Sequence, residues 1–392
     1  MREALASLLA YAAVQSPFYR DQAWAKSVRG GASVALKNIP ITRKSLVREH
    51  TGLFHIPAFP PSEGKPVTRY TSGSSGHPME LRQTSRFYAI NSIERSRLLT
   101  GWGYERHPSL AKIKNPDADN PRGTKTSTYN RGQSVHSLYT SDVSEALDFI
   151  VKTGARVLEN RPSMCAAILQ LAADRGLNLP LALIATKSEL VPDQFRLLIR
   201  SRPGCRLVDR YASEETQLIA CECAQCGAYH PADRQLVLEV LDENDKPVKA
   251  GKMGRVIVTS LFNLAMPLIR YDIGDYAILG KTNACPRASV SLTRIVGRDR
   301  NVFKLPDGRK VMPWLDPQAV SSAGLHQFKM IQRGPAEIEL LYIPRGTVEL
   351  SSARAQELVD EFMGSGFHVK SIKVDDLPPG PNGKYMMHEC LI

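Results

Sequence analysis

Two short stretches of this sequence hold residue types that can do chemistry. The first is YTSGSSGHPMEL at 70–81. Its serines and threonine supply hydroxyls, and its glycines remove Cβ obstruction, so backbone N–H groups and Oγ atoms can converge on an anion. A P-loop ends in Gly-Lys-Ser/Thr at the start of a helix. Here His77 and Pro78 follow Gly76, which disfavours that kind of nucleotide site. The second stretch is CECAQCGAYH, which places Cys221, Cys223, Cys226 and His230 in a C-x-C-x2-C-x3-H run with a glycine turn. Thiolates and an imidazole at that spacing suit a closed, structural, tetrahedral zinc site. The metal would stiffen the loop ahead of the strand that follows. A redox pair is disfavoured, because no C-x-x-C opens a helix after a strand here.

These stretches need elements to hold them. PVTRY and MELRQT bracket the glycine-serine run, and both are β-forming, so the run reads as a strand–turn–strand loop. Helical spacing recurs at 2–14, 85–98, 142–158 and 193–201. Apolar β-rich runs appear at 181–185, 206–212, 235–243, 254–261 and 337–343. Alternation of the two patterns up to about residue 210 predicts α/β layers, followed by a strand-rich segment at 235–280. Residues 111–133 are polar and punctuated by Gly and Pro, and read as a long mobile loop. The expected fold is α/β. Residues 1–299 form a large N-terminal domain of layered mixed sheets and helices with a strand-rich subdomain and a zinc-binding insert at 221–230. Residues 300–392 form a small mobile α+β C-terminal domain.

The bulk numbers narrow the function classes. At 392 residues the chain exceeds one compact core. A net charge of +12 favours anionic partners: nucleotides, coenzyme A, an acidic carrier protein or nucleic acid. No apolar run approaches the roughly 18–20 residues of a membrane span. The opening ALASLLAYAAV lacks the basic flank and cleavage site of a signal peptide, and reads as an amphipathic helix on the core. Seven cysteines, an odd number, argue against a disulfide framework and for a cytoplasmic setting.

Thr-Ser-Gly-Ser-Ser-Gly-x-Pro resembles the phosphate loop of the adenylate-forming superfamily, which includes acyl- and aryl-CoA synthetases, peptide-synthetase adenylation domains and luciferases. Four further motifs resemble that superfamily's in the same order: DRYASEE (209–215), IRYDIGD (269–275), RIVGRDRN (294–301) and PNGKYM (381–386). SPFYRDQ (16–22), IPITRKSL (39–46) and AMPLIRYDIGD (265–275) are most similar to the phenylacetate–CoA ligase group. The short chain and LPDGRKV (305–311) resemble its capsular-polysaccharide-biosynthesis branch.

The resemblance implies an ATP-dependent ligase. A carboxylate attacks the α-phosphate, pyrophosphate leaves, and the acyl-adenylate hands its acyl group to a thiol of coenzyme A or of a phosphopantetheine on an acyl or peptidyl carrier protein. It implies that Thr71, Ser72, Gly73, Ser74, Ser75 and Gly76 embrace the phosphates. Tyr211 would stack near the adenine, with Ala212, Ser213 and Glu214 beside it, and Glu215 would hold Mg²⁺. Asp275 would accept both ribose hydroxyls, and Arg298 would reach a phosphate or the ribose. Lys384 would bridge the acyl carboxylate and the phosphate during adenylation. Cys285 matches a position where related ligases carry a Cys-Gly-Arg turn, so zinc would take four of Cys221, Cys223, Cys226, His230 and Cys285. The acid pocket would fall around 131–140, 160–165 and 186–190. The chain departs from the superfamily at Ala212 for Gly, Glu214 for Thr, and Arg300 for the first hinge Asp.

Two alternatives stand beside this. One is a zinc-stapled basic nucleic-acid-binding protein, disfavoured by 7% aromatic content and the lack of an aromatic-interleaved basic stripe. The other is a nucleotide-binding homologue that has lost its chemistry. An oligomer is compatible with everything above.

Overall fold

The computed structural model describes residues 1–71, 79–101, 109–116, 121–129, 133–281, 285, 290–305, 307–347, 349–378 and 386–392. The chain divides into two compact units, each discontinuous: Met1–Arg106 with Val208–Ile295, and His107–Leu207 with Val296–Ile392.

The first unit opens with α1 (Arg2–Gln15) and α2 (Ala23–Arg29). Leu8, Leu9, Ala12 and Ala13 recur at helical spacing and are buried, which seats α1 on the core. Next come β1 (Thr42–Arg43), α3 (Lys44–Glu49), α4 (Thr51–Phe54), β2 (Pro66–Tyr70), β3 (Glu80–Thr84) and α5 (Ser85–Gly101). The three phrases at 16–22, 39–46 and 265–275 meet here. The Tyr19 hydroxyl lies 3.1 Å from Thr42 Oγ1 and accepts from the Ile269 N–H at 3.2 Å, while Thr42 donates to the Ile269 carbonyl at 2.9 Å. Full burial pushes the Tyr19 phenol up to about 12, so it stays neutral as a pin.

The second unit begins with β4 (Ser109–Lys114), β5 (Gly123–Tyr129), β6 (Gln133–Tyr139), α6 (Val143–Thr153), β7 (Val157–Asn160), α7 (Pro162–Asp174), β8 (Leu183–Lys187) and α8 (Asp193–Arg200). The strand order is β8-β7-β4-β6-β5, parallel except for β5. Ala111, Ile113, Leu138, Leu158 and Ile184 point to one face and pack against α6 and α7. The helix expected over 142–158 is shorter. Asp142 caps it, accepting from the Glu145 N–H at 2.9 Å, and Gly154, at φ +57°, ends it in the left-handed region. The loop expected over 111–133 is a correction: β4 and β5 run through it. β5 lies on a sheet edge, where backbone pairing to β6 needs no apolar side chains, so its Thr, Lys and Ser residues carry no burial signal.

The first unit resumes with β9 (Arg206–Ser213), β10 (Gln217–Glu222), β11 (Tyr229–Pro231), β12 (Leu236–Leu241), β13 (Met253–Ser260), β14 (Tyr271–Leu279) and β15 (Leu292–Arg298), in the order β12-β13-β14-β15-β11-β10-β9. β12, β13 and β14 are the strand-rich segment the sequence predicts over 235–280. β1 adds to β14 in parallel. The second unit closes with β16 (Phe303–Lys304), β17 (Lys310–Val311), α9 (Pro317–Ser322), β18 (Leu325–Gly334), β19 (Glu337–Pro344), α10 (Ser352–Met363), β20 (His368–Lys373) and β21 (His388–Cys390). The last four strands form a sheet, β20-β19-β18-β21, over a core of Phe328, Met330, Leu340, Leu358 and Val359. Among the described residues no helix is long and apolar enough to cross a membrane.

Candidate functional site

β2 and β3 pair antiparallel up to Tyr70 opposite Glu80. Just beyond, the Thr71 N–H donates to the Met79 carbonyl and the Met79 N–H donates to Thr71 Oγ1, each at 3.0 Å. Thr71 thus closes the neck of the glycine-serine segment. Ser72, Gly73, Ser74, Ser75 and Gly76 lie outside the described residues. On β3, the fully buried Gln83 donates through Nε2 to the Glu214 carbonyl at 2.7 Å. That bond ties the base of the hairpin to the DRYASEE segment.

The DRYASEE segment runs from β9 into the turn before β10. Ser213 Oγ accepts from the Thr216 N–H at 3.2 Å, a local bond typical of serine in tight turns. Ala212 and Glu214 face outward, whereas Glu215 turns in and is 2% exposed. A buried carboxylate requires charge and hydrogen-bond partners. Lys44, the first residue of α3, places Nζ 2.6 Å from Glu215 Oε1, and the Tyr271 hydroxyl donates to the same oxygen at 3.1 Å. Sequence reasoning missed Lys44, Gln83 and Tyr271 as site residues. All three sit within phrases quoted above, but nothing local distinguishes a lysine that ends beside a carboxylate from one in solvent.

Tyr211 and Asp275 are also brought together. The Tyr211 hydroxyl donates to Asp275 Oδ2 at 2.8 Å, and both residues are buried. Asp275 owes its place to a bulge. β13 and β14 pair Arg255 with Tyr276 but Ile257 with Asp272, so residues 273–275 stand opposite Val256 alone. Gly274, at φ +78°, takes the conformation this requires, and such bulges re-aim side chains. The strand is anchored on either side. Arg255 donates to Asp272 at 2.5 Å, and Arg270 forks onto Glu239 at 3.0 and 3.1 Å. Arg298 ends β15 and belongs to the second unit, and Lys384 lies outside the described residues.

Of the five candidate zinc ligands, the structure groups Cys223, Cys226, His230 and Cys285, whose ligand atoms all lie within 4.8 Å of one another. Cys226 Sγ is 3.3 Å from His230 Nε2. A tetrahedral centre with Zn–S bonds of about 2.3 Å has sulfurs about 3.8 Å apart, so three thiols and one imidazole fit the metal. The Cys223 N–H donates to the Ala228 carbonyl and the Gly227 N–H to the Cys223 carbonyl, both at 2.8 Å, forming the turn that presents Cys226. Cys221 falls outside the group. It sits in β10 opposite Arg210 of β9, and burial pushes its thiol up to about 12. In the second unit, residues 160–165 and 186–190 also meet: Glu189 accepts from the Ser163 N–H at 3.2 Å and lies 3.8 Å from Arg161.

A crystal structure of 2-hydroxyisobutyryl-CoA ligase, in the postadenylation state with an acyl-AMP, superposes with a TM-score of 0.73 at 17% identity, covering 98% of this chain and 88% of that one. This chain has the adenylate-forming ligase fold. ATP-bound MatB from Rhodopseudomonas palustris shares the fold at a TM-score of 0.58 and 17% identity, over 81% of this chain and 66% of its own. In sequence, the phenylacetate-coenzyme A ligase of Thermus thermophilus is 25% identical over 312 residues, which are 76% of this chain and 69% of that protein. No family model matches the chain. Within this fold the Tyr211–Asp275 pair and the Tyr271–Glu215 pair both lie in the first unit, each joining the β9–β10 segment to β14.

Proposed function

We propose that this protein is an ATP-dependent carboxylic acid–CoA ligase. The observation that supports it most is the pairing of Tyr211 with Asp275 and of Lys44 and Tyr271 with the buried Glu215, in a fold of which one solved example holds acyl-AMP. A carboxylate oxygen of the acid bonds to the α-phosphorus of ATP as the bond to pyrophosphate breaks. The thiolate of coenzyme A then bonds to the acyl carbon, and AMP leaves with the bonding pair. Asp275 is a ready acceptor for two vicinal ribose hydroxyls, and the Tyr211 hydroxyl on Oδ2 fixes the orientation of its carboxylate. Glu215 suits a magnesium ion as a hard anionic oxygen donor, with Lys44 and Tyr271 on Oε1 fixing its orientation. Bound there, magnesium would neutralise charge on the departing pyrophosphate. The four-ligand cluster suits a closed structural zinc site, because thiol and imidazole donors fill every position. Seven free cysteines fit a reducing, cytoplasmic setting. A phosphopantetheine on a carrier protein is the second acceptor that the basic charge allows.

ATP–pyrophosphate exchange across aryl, fatty, hydroxy and amino acids tests the reading. Exchange with at least one acid is expected, and neither exchange nor an ATP-induced thermal shift would overturn it. Within it, Lys384→Ala should lower exchange by about a hundredfold or more, the usual loss when one group aimed at developing charge is removed, while ATP binding persists. Exchange at the wild-type rate in that variant would remove Lys384 from its role.

A further inference from the structure

Parallel sheets are ordinarily apolar on both faces. The β8-β7-β4-β6-β5 sheet is not. One face carries Ala111, Leu158 and Ile184, which pack under the helices. On the opposite face, the register pairs Lys112 with Glu159 on β7 and Ser137 on β6, and Lys114 with Tyr139. Lys125 of β5 pairs with Ser137 and so shares that face. Glu159 pairs with Ala185, which puts Lys187, two residues on, there as well.

The last row of this face lies at the carboxyl ends of the parallel strands. Read across β6, β4, β7 and β8, it runs Tyr139, Lys114, Arg161, Lys187, with Arg161 one residue past the end of β7. Adjacent strands are about 4.8 Å apart, so three cations stand in a line of about 10 Å. The side chains agree with this row: Arg161 Nη2 donates to Asn115 Oδ1 at 3.2 Å, bridging the ends of β7 and β4. Lys187 Nζ lies 3.0 Å from Glu159, and its side chain keeps 39% of its surface in solvent. Lys114 and Lys125 each place Nζ 5.3 Å from the centre of the Tyr139 ring. Open α/β sheets bind ligands outside the carboxyl ends of their strands, where the strand order reverses. β4 is that point, because β6 lies on one side of it and β7 on the other. Ser188, immediately after Lys187, holds φ +71°, a conformation that clusters at ligand sites when the residue is not glycine.

We propose that this row of cations receives a second anionic group on the acid, so that the acid class is one bearing a further carboxylate, phosphate or sulfonate. The proposal rests on the ligase reading only for calling the ligand a substrate. Glu189 lies 3.8 Å from Arg161 and Glu159 3.0 Å from Lys187, so the three cations of the row outnumber the two carboxylates paired with them, and the remaining positive charge favours an anionic oxygen group whichever reaction follows. Each charge-assisted hydrogen bond to such a group favours the dianion by about tenfold or more.

Calorimetric titration of the full chain with matched acids tests it without turnover: pentanoate against glutarate, benzoate against isophthalate, and glycerate against 3-phosphoglycerate. At least one dianion should bind about tenfold tighter than its partner, with a gap that narrows as salt rises. Which pair shows the gap separates carboxylate from phosphate. Lys187→Met with Glu159→Gln, a double variant that removes both members of the ion pair together, should bring each pair within about twofold, and Lys187→Arg should keep the gap. Equal or tighter binding of all monoanions, or a gap that survives in the double variant, overturns the proposal. ATP–pyrophosphate exchange on the same acids tells the two readings apart. A dianion preference in binding with no exchange sinks the ligase reading and leaves the site, whereas exchange with monoanions alone sinks the site and leaves the ligase.

Discussion

Glu215→Ala should lower acyl-adenylate formation by about two to three orders of magnitude and destabilise the first unit by about 3 kcal/mol. The first effect follows from losing the carboxylate proposed to hold magnesium beside the phosphates. The second follows from the ion pair. Removing one member of a buried pair leaves the other uncompensated, at a cost of about 3–5 kcal/mol. The lower end applies here, because the Lys44 side chain is 18% exposed and can turn its ammonium to water. Glu215→Gln separates the two consequences. Its amide oxygen still accepts from Tyr271 and fills the same volume, so about half of the stability loss should disappear. A neutral amide is a poor magnesium ligand, so the loss of adenylation should remain. Pyrophosphate exchange and urea unfolding on both variants provide the two readouts. Wild-type exchange by Glu215→Gln would show that the carboxylate serves Lys44 and not a metal.

Removing the metal should be the other large effect. About one zinc per chain is expected on elemental analysis. Stripping it with a strong chelator should lower the thermal midpoint by about 5–10 °C and weaken nucleotide binding in parallel. The reason is where the ligands come from. Cys223, Cys226 and His230 belong to the β10–β11 hairpin, while Cys285 follows β14, the strand that carries Asp275. β10 also pairs with β9, which carries Tyr211. A zinc ion there would tie the β10–β11 hairpin, which lies beside β9, to the segment after β14, closing a long loop of chain, and long loops gain most from closure. Cys285→Ser should lose the metal and reproduce the stripped protein. Cys221→Ala should keep the metal, since that thiol lies outside the group. Active, fully stable, metal-free protein would contradict this, as would metal loss in Cys221→Ala.

Much of this is legible in the sequence. PVTRY and MELRQT declare the hairpin around the glycine-serine segment because β-branched and apolar residues there alternate on a short scale. DRYASEE and IRYDIGD single out Tyr211, Glu215 and Asp275 through their resemblance to motifs of the adenylate-forming superfamily, and such short motifs are local features of the chain. The Cys/His run offers candidate metal ligands, because thiols and imidazoles crowded within a few positions are recognisable locally. Residues 111–133 mislead because an edge strand can be held by its backbone alone, and polar side chains then carry no sign of it.

What only the tertiary structure decided is which of the chemically able groups face one another. Five residues could serve as zinc ligands, and the choice of Cys285 over Cys221 depended on how β14 and β10 are placed within the sheet. Lys44 reaches Glu215 across 171 positions of sequence, a separation at which no local pattern survives. The line Lys114, Arg161, Lys187 exists only as a register across three strands, and no pair of these residues is close in sequence. Periodicity and residue chemistry are properties of short segments, and this sequence specifies them directly. Coulombic partners, metal geometry and cross-strand rows are set by chain folding over long loops, and they appear only when the sheets are assembled.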